Sequence, residues 1–216
     1  MATLEETIRG NYERVLERMS AAADSVGRGA GEIKLVVVTK GHSIEATQAT
    51  IRAGAKYLGE NYVQEALTKI AALPEAGVEW HMIGHVQSRK AREVVENFAW
   101  LHSLDSLKLA HRCDQYAAQI NRKLPVLLEC NVSGEVSKHG WPVWEESLWS
   151  VFVEGLAPLF DLDHLEIHGL MTMPPFEPDP EDARPYFQKL CRLRDALAAH
   201  YPQADWGELS MGMSND

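Results

Sequence analysis

The sequence predicts an α/β fold with parallel strands, and two observations carry that reading. From Ile33 onward, short apolar runs alternate with amphipathic stretches along the rest of the chain. The first run is nearly continuous Val, Leu and Ile, as suits a strand covered on both faces. Parallel neighbours need crossover connections, and the amphipathic stretches supply them.

Thr3 with Glu6 three residues on reads as a capping box, and Leu4, Ile8, Val15, Met19 and Val26 recur at helical spacing, so a first helix is expected to about Val26. GRGAGE (27–32) ends it. Its three glycines follow a helix and lack GxGxxG spacing, which makes it a flexible connector and no dinucleotide site. Strands are expected within 33–39, 55–60, 78–84, 99–104, 125–132, 164–171 and 206–212. Helices are expected within 44–54, 62–73, 88–98, 105–120, 145–160 and 181–200. Trp141, Trp144, Trp149 and Phe152 draw the eye, but Leu148, Phe152 and Leu156 share helical spacing and indicate a helix packed on the sheet. The proline-rich stretch 173–185 reads as a stiff loop. No composition shift divides the chain, so residues 1–216 are expected to form a single domain, with an N-terminal helix (1–28) packed on it.

Each of these seven strands except the last is followed by a helix. A closed (β/α)8 barrel needs eight strands, and the sequence stops at GMSND, where a further helix and strand would follow. On pattern alone, a doubly wound open sheet remains the alternative.

With 31 acids against 21 bases the net charge is -10, which argues against non-specific binding to a phosphate backbone. Apolar runs fall far below the ~18 residues of a membrane span, and the first ten residues carry no apolar signal region. Cys113, Cys130 and Cys191 are widely spaced and odd in number, fitting neither a disulfide framework nor a zinc site. A reducing cytoplasm is expected.

The strands end in polar residues or glycine: Thr39-Lys40, Gly59-Glu60-Asn61, Gly84-His85, Ser103, Asn131-Val132-Ser133, Met171-Thr172 and Gly212-Met213-Ser214. Ligands bind at that edge of parallel sheets. Lys40 stands out, because partial desolvation at a sheet mouth would favour the neutral amine that attacks an aldehyde. The plainer alternative is a lysine reaching out to water. ELSMGMSND (208–216) offers glycine and hydroxyls at a strand-to-helix turn, suited to a phosphate, or equally to an ordinary capped turn. His81 and His85 straddle a strand end, where a spacing of four does not bring side chains together. No HExxH or carboxylate-rich pattern occurs, so no metal is expected.

VVVTK (36–40), GENYVQE (59–65), WHMIGHVQSRK (80–90), HGLMTM (168–173) and LSMGMSND (209–216) together closely resemble the pyridoxal phosphate homeostasis protein family, in order from about Glu32 to the last residue. The resemblance implies a (β/α)8 TIM barrel of the alanine racemase N-terminal-domain type, here without its last helix and eighth strand. It implies pyridoxal 5'-phosphate (PLP) as cofactor, a role in vitamin B6 homeostasis, and no established catalysis. By resemblance, Lys40 is the Schiff-base lysine, Asn61 stands beside the cofactor ring and Ser214 binds phosphate. Ile83, Gly84, Met171 and Met211 would line the pocket. The family continues into a strand carrying an Arg-x-Gly-Thr/Ser motif, and a molecule ending at Asp216 is expected to be an open barrel that retains PLP less well.

Expected partners are PLP and PLP-dependent apoenzymes, with no nucleic acid or membrane, and the chain is expected to be a monomer. The alternatives are a racemase-like PLP enzyme and a barrel with a structural lysine and no cofactor. Racemisation needs a second acid/base opposite the lysine. In alanine racemases an additional C-terminal domain supplies it, which favours binding over catalysis here.

Overall fold

Thr3 closes the expected capping box: its Oγ1 accepts from Glu6 N at 3.2 Å, and Glu6 Oε2 accepts from Thr3 N at 2.8 Å. The helix it starts, α1 (Leu4–Ser25), ends with Val26 as its cap. In this computed structural model, residues 2–74, 77–176 and 178–214 are described. The chain forms two compact units, one through His81 and one from Met82.

In the first unit the glycine connector is more ordered than expected. Residues Ala30–Glu32 form a 3-10 turn, and Glu32 Oε1 accepts from Gly29 N at 2.9 Å. A side-chain acceptor three residues along fixes a backbone that glycine alone would leave free. Two parallel strands follow, β1 (Val36–Val38) and β2 (Tyr57–Glu60), with Val36 opposite Tyr57 and Val38 opposite Gly59. Between them runs α2 (Ile44–Arg52), capped by Ser43 Oγ accepting from Ala46 N. Against α2 lies α1: Tyr12 OH donates to Gly54 O at 3.2 Å, and Arg52 pairs with Glu5 at 3.3 Å. The next elements are α3 (Val63–Ala72) and β3 (Glu79–Met82), and Glu79 N donates to Lys56 O at 2.8 Å.

The second unit contains α4 (Ala91–Asn97), β4 (Trp100–Leu104), α5 (Leu107–Gln119), β5 (Leu124–Asn131), a two-residue β6 (Trp141–Pro142), α6 (Trp149–Gly155), β7 (Leu165–Met171), α7 (Arg184–His200) and β8 (Glu208–Ser210). Parallel pairing joins β4 to β5, β5 to β7 and β7 to β8, while β6 adds to the end of β5. Except for half-buried Pro125, all of β5 is buried, as expected of a central strand covered by helices. Leu101, Leu104, Val126, Leu128 and Leu170 of the strands pack with Leu109, Leu190, Leu193 and Leu197 of α5 and α7, all fully buried. Each such side chain contributes about 1.5–3 kcal/mol.

All seven expected strands form. The helix expected over 145–160 is divided into a 3-10 turn at Glu146–Leu148, then α6, then a 3-10 turn at Ala157–Asp161. Gly155 and Pro158 explain the break, since glycine weakens a helix and proline cannot donate to it. Trp141 lies in β6, ahead of that helix. Its Nε1 donates to Leu104 O at 3.1 Å, and Trp149 Nε1 donates to Val143 O at 3.1 Å. In the proline-rich stretch, Pro180–Ala183 forms a 3-10 turn with Asp179 accepting from Glu181 N, and leads directly into α7.

Gly169 has a structural task. At φ +148 its backbone suits glycine, and a Cβ there would meet Glu208 O at 1.8 Å. Its missing side chain lets β8 dock on β7, with Gly169 opposite Glu208 and Met171 opposite Ser210. Among the described residues, no helix is long and apolar enough to cross a membrane.

Candidate functional site

Lys40 sits two residues beyond β1. Thr39 N donates to Gly59 O at 3.0 Å, extending the β1–β2 ladder by one residue. Carried one residue further, the register sets Lys40 level with Asn61. Side chains alternate along a strand, and paired parallel positions face the same way. Thr39 and Glu60 therefore share one face: Thr39 Oγ1 donates to Glu60 Oε1 at 2.6 Å.

A buried network holds the main chain on both sides of Lys40. Lys69 Nζ, reaching from α3, donates to Thr39 O at 2.6 Å, to Glu60 Oε1 at 2.7 Å and to Glu65 Oε1 at 2.7 Å. Glu65 Oε1 also accepts from Gly41 N at 2.6 Å. Gly41 adopts φ +74, which turns the chain sharply from the lysine toward α2. Burial works against the Lys69 ammonium, but hydrogen bonds and charges from Glu60 and Glu65 prevail, and its pKa is raised. The hydrogen bond from Lys69 is the main reason the Glu65 carboxyl titrates below its usual range. Lys69 and Glu65 do not stand out in the sequence as site residues, and Glu60 appears there only as one of the polar strand ends. The available signal is the Glu65/Lys69 spacing of four on a helix.

Lys40 itself is exposed, and makes no ion pair or hydrogen bond among the described residues. The partial desolvation expected of it is not present: β1 is three residues long, and Val38 beside its end is already 41% exposed. Asn61 differs. Its Oδ1 is buried and has no hydrogen-bond partner among the described residues, an acceptor left open at a strand end.

The second unit carries the other expected site residues. Ile83 is half-buried and Gly84 buried just after β3, and Gly84 O accepts from Ser103 Oγ at 2.6 Å. Met171 is buried at the end of β7. The next residue, Thr172, donates from N to Ser210 O at 3.0 Å and from Oγ1 to Cys130 O at 2.7 Å. Met211 and Ser214 are exposed beyond β8, and Gly212 between them adopts φ +91. Asn215 and Asp216 of the GMSND motif lie outside the described residues. Ser210 is tied to β4, with its Oγ 2.9 Å from His102 Nδ1. Glu129 is buried on β5 with Oε2 lacking a partner among the described residues, and burial, reinforced by Asp105, pushes its carboxyl up to about 7. Burial holds the thiols inert, with Cys113 pushed up to about 12 and Cys130 raised likewise.

Residues 10–216 match the family model of the alanine racemase N-terminal domain. The pyridoxal phosphate homeostasis protein of Aquifex aeolicus is 41% identical over 203 residues, 94% of this chain and 86% of that protein. PipY of Synechococcus elongatus, solved with PLP bound, superposes with a TM-score of 0.77 at 32% identity, covering 93% of this chain and 90% of its own. Alanine racemase of Streptomyces coelicolor shares the fold, with a TM-score of 0.64 at 18% identity over 94% of this chain and 50% of its own. With its parallel α/β architecture, its strand-end lysine and these matches over nearly its whole length, the chain belongs to the alanine racemase N-terminal domain family and, within it, to the pyridoxal phosphate homeostasis proteins.

Proposed function

We propose that this chain binds pyridoxal 5'-phosphate through Lys40 and serves intracellular vitamin B6 homeostasis by holding the cofactor rather than turning over a substrate. The observation that carries the reading is an exposed primary amine, Lys40, following β1, and a buried Oδ1 of Asn61, following the adjacent parallel strand β2, neither with a side-chain partner among the described residues. When bound, PLP supplies an aldehyde that reacts with a primary amine, and a phosphate that needs hydrogen-bond donors. Lys40 would hold the aldehyde end and Asn61 would face the ring. For Ser214 as a phosphate ligand, and for Ile83, Gly84, Met171 and Met211 as residues beside the cofactor, all in the second unit, the proposal rests on the resemblance of their motifs alone.

A holding role suits the groups around Lys40. Glu60, Glu65 and Lys69 are bound to one another and to the main chain of Thr39 and Gly41, so they fix the backbone that carries the amine instead of exchanging protons with a ligand. The names of the relatives, and the PLP bound in PipY, support the same reading. It further assigns the chain to the cytoplasm, as a monomer with PLP-dependent apoenzymes as recipients.

Borohydride reduction of protein supplied with PLP, followed by peptide mass mapping, tests the assignment. Modification is expected at Lys40 and is lost in Lys40→Ala. Labelling at another lysine, or none, rejects the site. Sustained racemase or transaminase turnover that disappears in Lys40→Ala would reject the non-catalytic role.

A further inference from the structure

Three loops of the second unit bring His85, Asp105 and His139 together. One ring nitrogen from each histidine and one carboxylate oxygen lie within 4.8 Å of one another. His85 follows β3, Asp105 follows β4 and His139 lies in the loop after β5, so the trio comes from segments that leave the C-terminal ends of parallel strands, where ligands bind in such sheets. His85 Nδ1 is 2.8 Å from Asp105 Oδ2, and the two imidazoles stack at 3.9 Å between ring centroids. We propose that these three residues form a binding site for a divalent transition-metal ion of the zinc class.

The donor set fits. Two imidazoles and one carboxylate make up a common three-ligand zinc arrangement, which leaves a fourth position for water. With metal–ligand bonds of about 2.0–2.2 Å, donors to one tetrahedral ion stand about 3.3 Å apart. The present spread closes to that by rotation of His85 and His139, both exposed and able to move. An ion gives both ring nitrogens and the carboxylate a common partner.

The backbone supporting each ligand is fixed. Asp105 Oδ1 accepts from Ser106 Oγ at 3.1 Å, leaving Oδ2 toward His85, and Ser106 also caps α5. Beside His139, Gly140 adopts φ +104, and a Cβ there would meet Glu129 O at 2.7 Å. The chain is thus pressed against the end of β5, and the Trp141 indole anchors it to Leu104 O. Lys138, the nearest cation in sequence, directs its ammonium to Pro174 O at 3.3 Å. Such support for ligating side chains strengthens metal binding. The spacing of 20 and 34 residues between ligands explains why no metal motif is visible in the sequence.

The test is calorimetric titration of purified, tag-free full chain with Zn2+, and absorption spectroscopy with Co2+, both without PLP, so that the outcome is independent of the cofactor reading. One Zn2+ per chain is expected, with Co2+ giving the ligand-field bands of a four- or five-coordinate site. His85→Ala, His139→Ala and Asp105→Asn should each weaken binding at least tenfold with unchanged circular dichroism. His111→Ala, an exposed histidine on α5, should bind as the parent does. Absence of saturable Zn2+ binding, or equal affinity in the His85→Ala/His139→Ala double variant, would overturn the proposal.

Discussion

Lys69 Nζ lies 2.7 Å from Glu60 Oε1, with both side chains buried, and the same ammonium holds the carbonyl of Thr39 next to Lys40. Lys69→Ala leaves Glu60 buried without its counter-charge, a loss expected to cost about 3–5 kcal/mol in urea unfolding. The double change to Lys69→Met and Glu60→Gln should cost less. Because the folded pKa of Lys69 is raised, its contribution is complete below the ordinary lysine range and is lost only as pH rises through the raised value. A loss under about 1 kcal/mol, the size expected of an exposed pair, would mean that the network is not what holds this strand end.

His81 sets an acid limit on stability. Burial pushes its pKa down from 6.5 to about 4, with Lys34 acting in the same direction. The folded value lies below the unfolded one, so the stability it gives is present above pH 6.5 and is lost as pH falls through about 4. The shift corresponds to about 3 kcal/mol at most. Urea midpoints for the parent should fall between neutral pH and about pH 4, and His81→Gln should lose much less over the same range. Parallel behaviour of the two proteins would dismiss His81 as the cause.

The elements that the sequence discloses are those with a period. Seven strands and the helices between them form where apolar spacing marks them, and the capping box at Thr3 forms as read. What lacks a period stays hidden. Trp141 and Pro142 pair with β5 through two residues only, too few to alternate. Lys69 reads as one more polar residue of an amphipathic helix, because its burial depends on Glu60 and Thr39, which lie on separate strands. Lys40 and Asn61 are recognisable by motif. That they stand level rests on a register offset of 21 residues, and neither motif contains it.

Gly169 of the HGLMTM motif is required by packing. A Cβ in Gly169→Ala would collide with Glu208 O, and its φ of +148 is strained for any L residue with a side chain. The expected cost is on the order of 3 kcal/mol. Fraying of β8 should follow, seen as faster amide exchange at Leu209 and Ser210, whose strand pairs there with Leu170 and Met171. Protection unchanged from the parent would mean that β8 does not depend on this close approach.

Asn61 separates holding a ligand from holding the fold. Its buried Oδ1 has no partner among the described residues, a situation that costs about 1–3 kcal/mol in a folded chain. Asn61→Ala removes that burden, so the ligand-free protein should be no less stable than the parent in urea. PLP should nevertheless be lost about tenfold more readily, equivalent to about 1.4 kcal/mol, followed by the decay of its visible absorption on dilution. A side chain kept for the fold would give the reverse, a less stable protein that retains PLP as well as before. The two measurements together distinguish an acceptor left open for a ligand from an imperfection of packing.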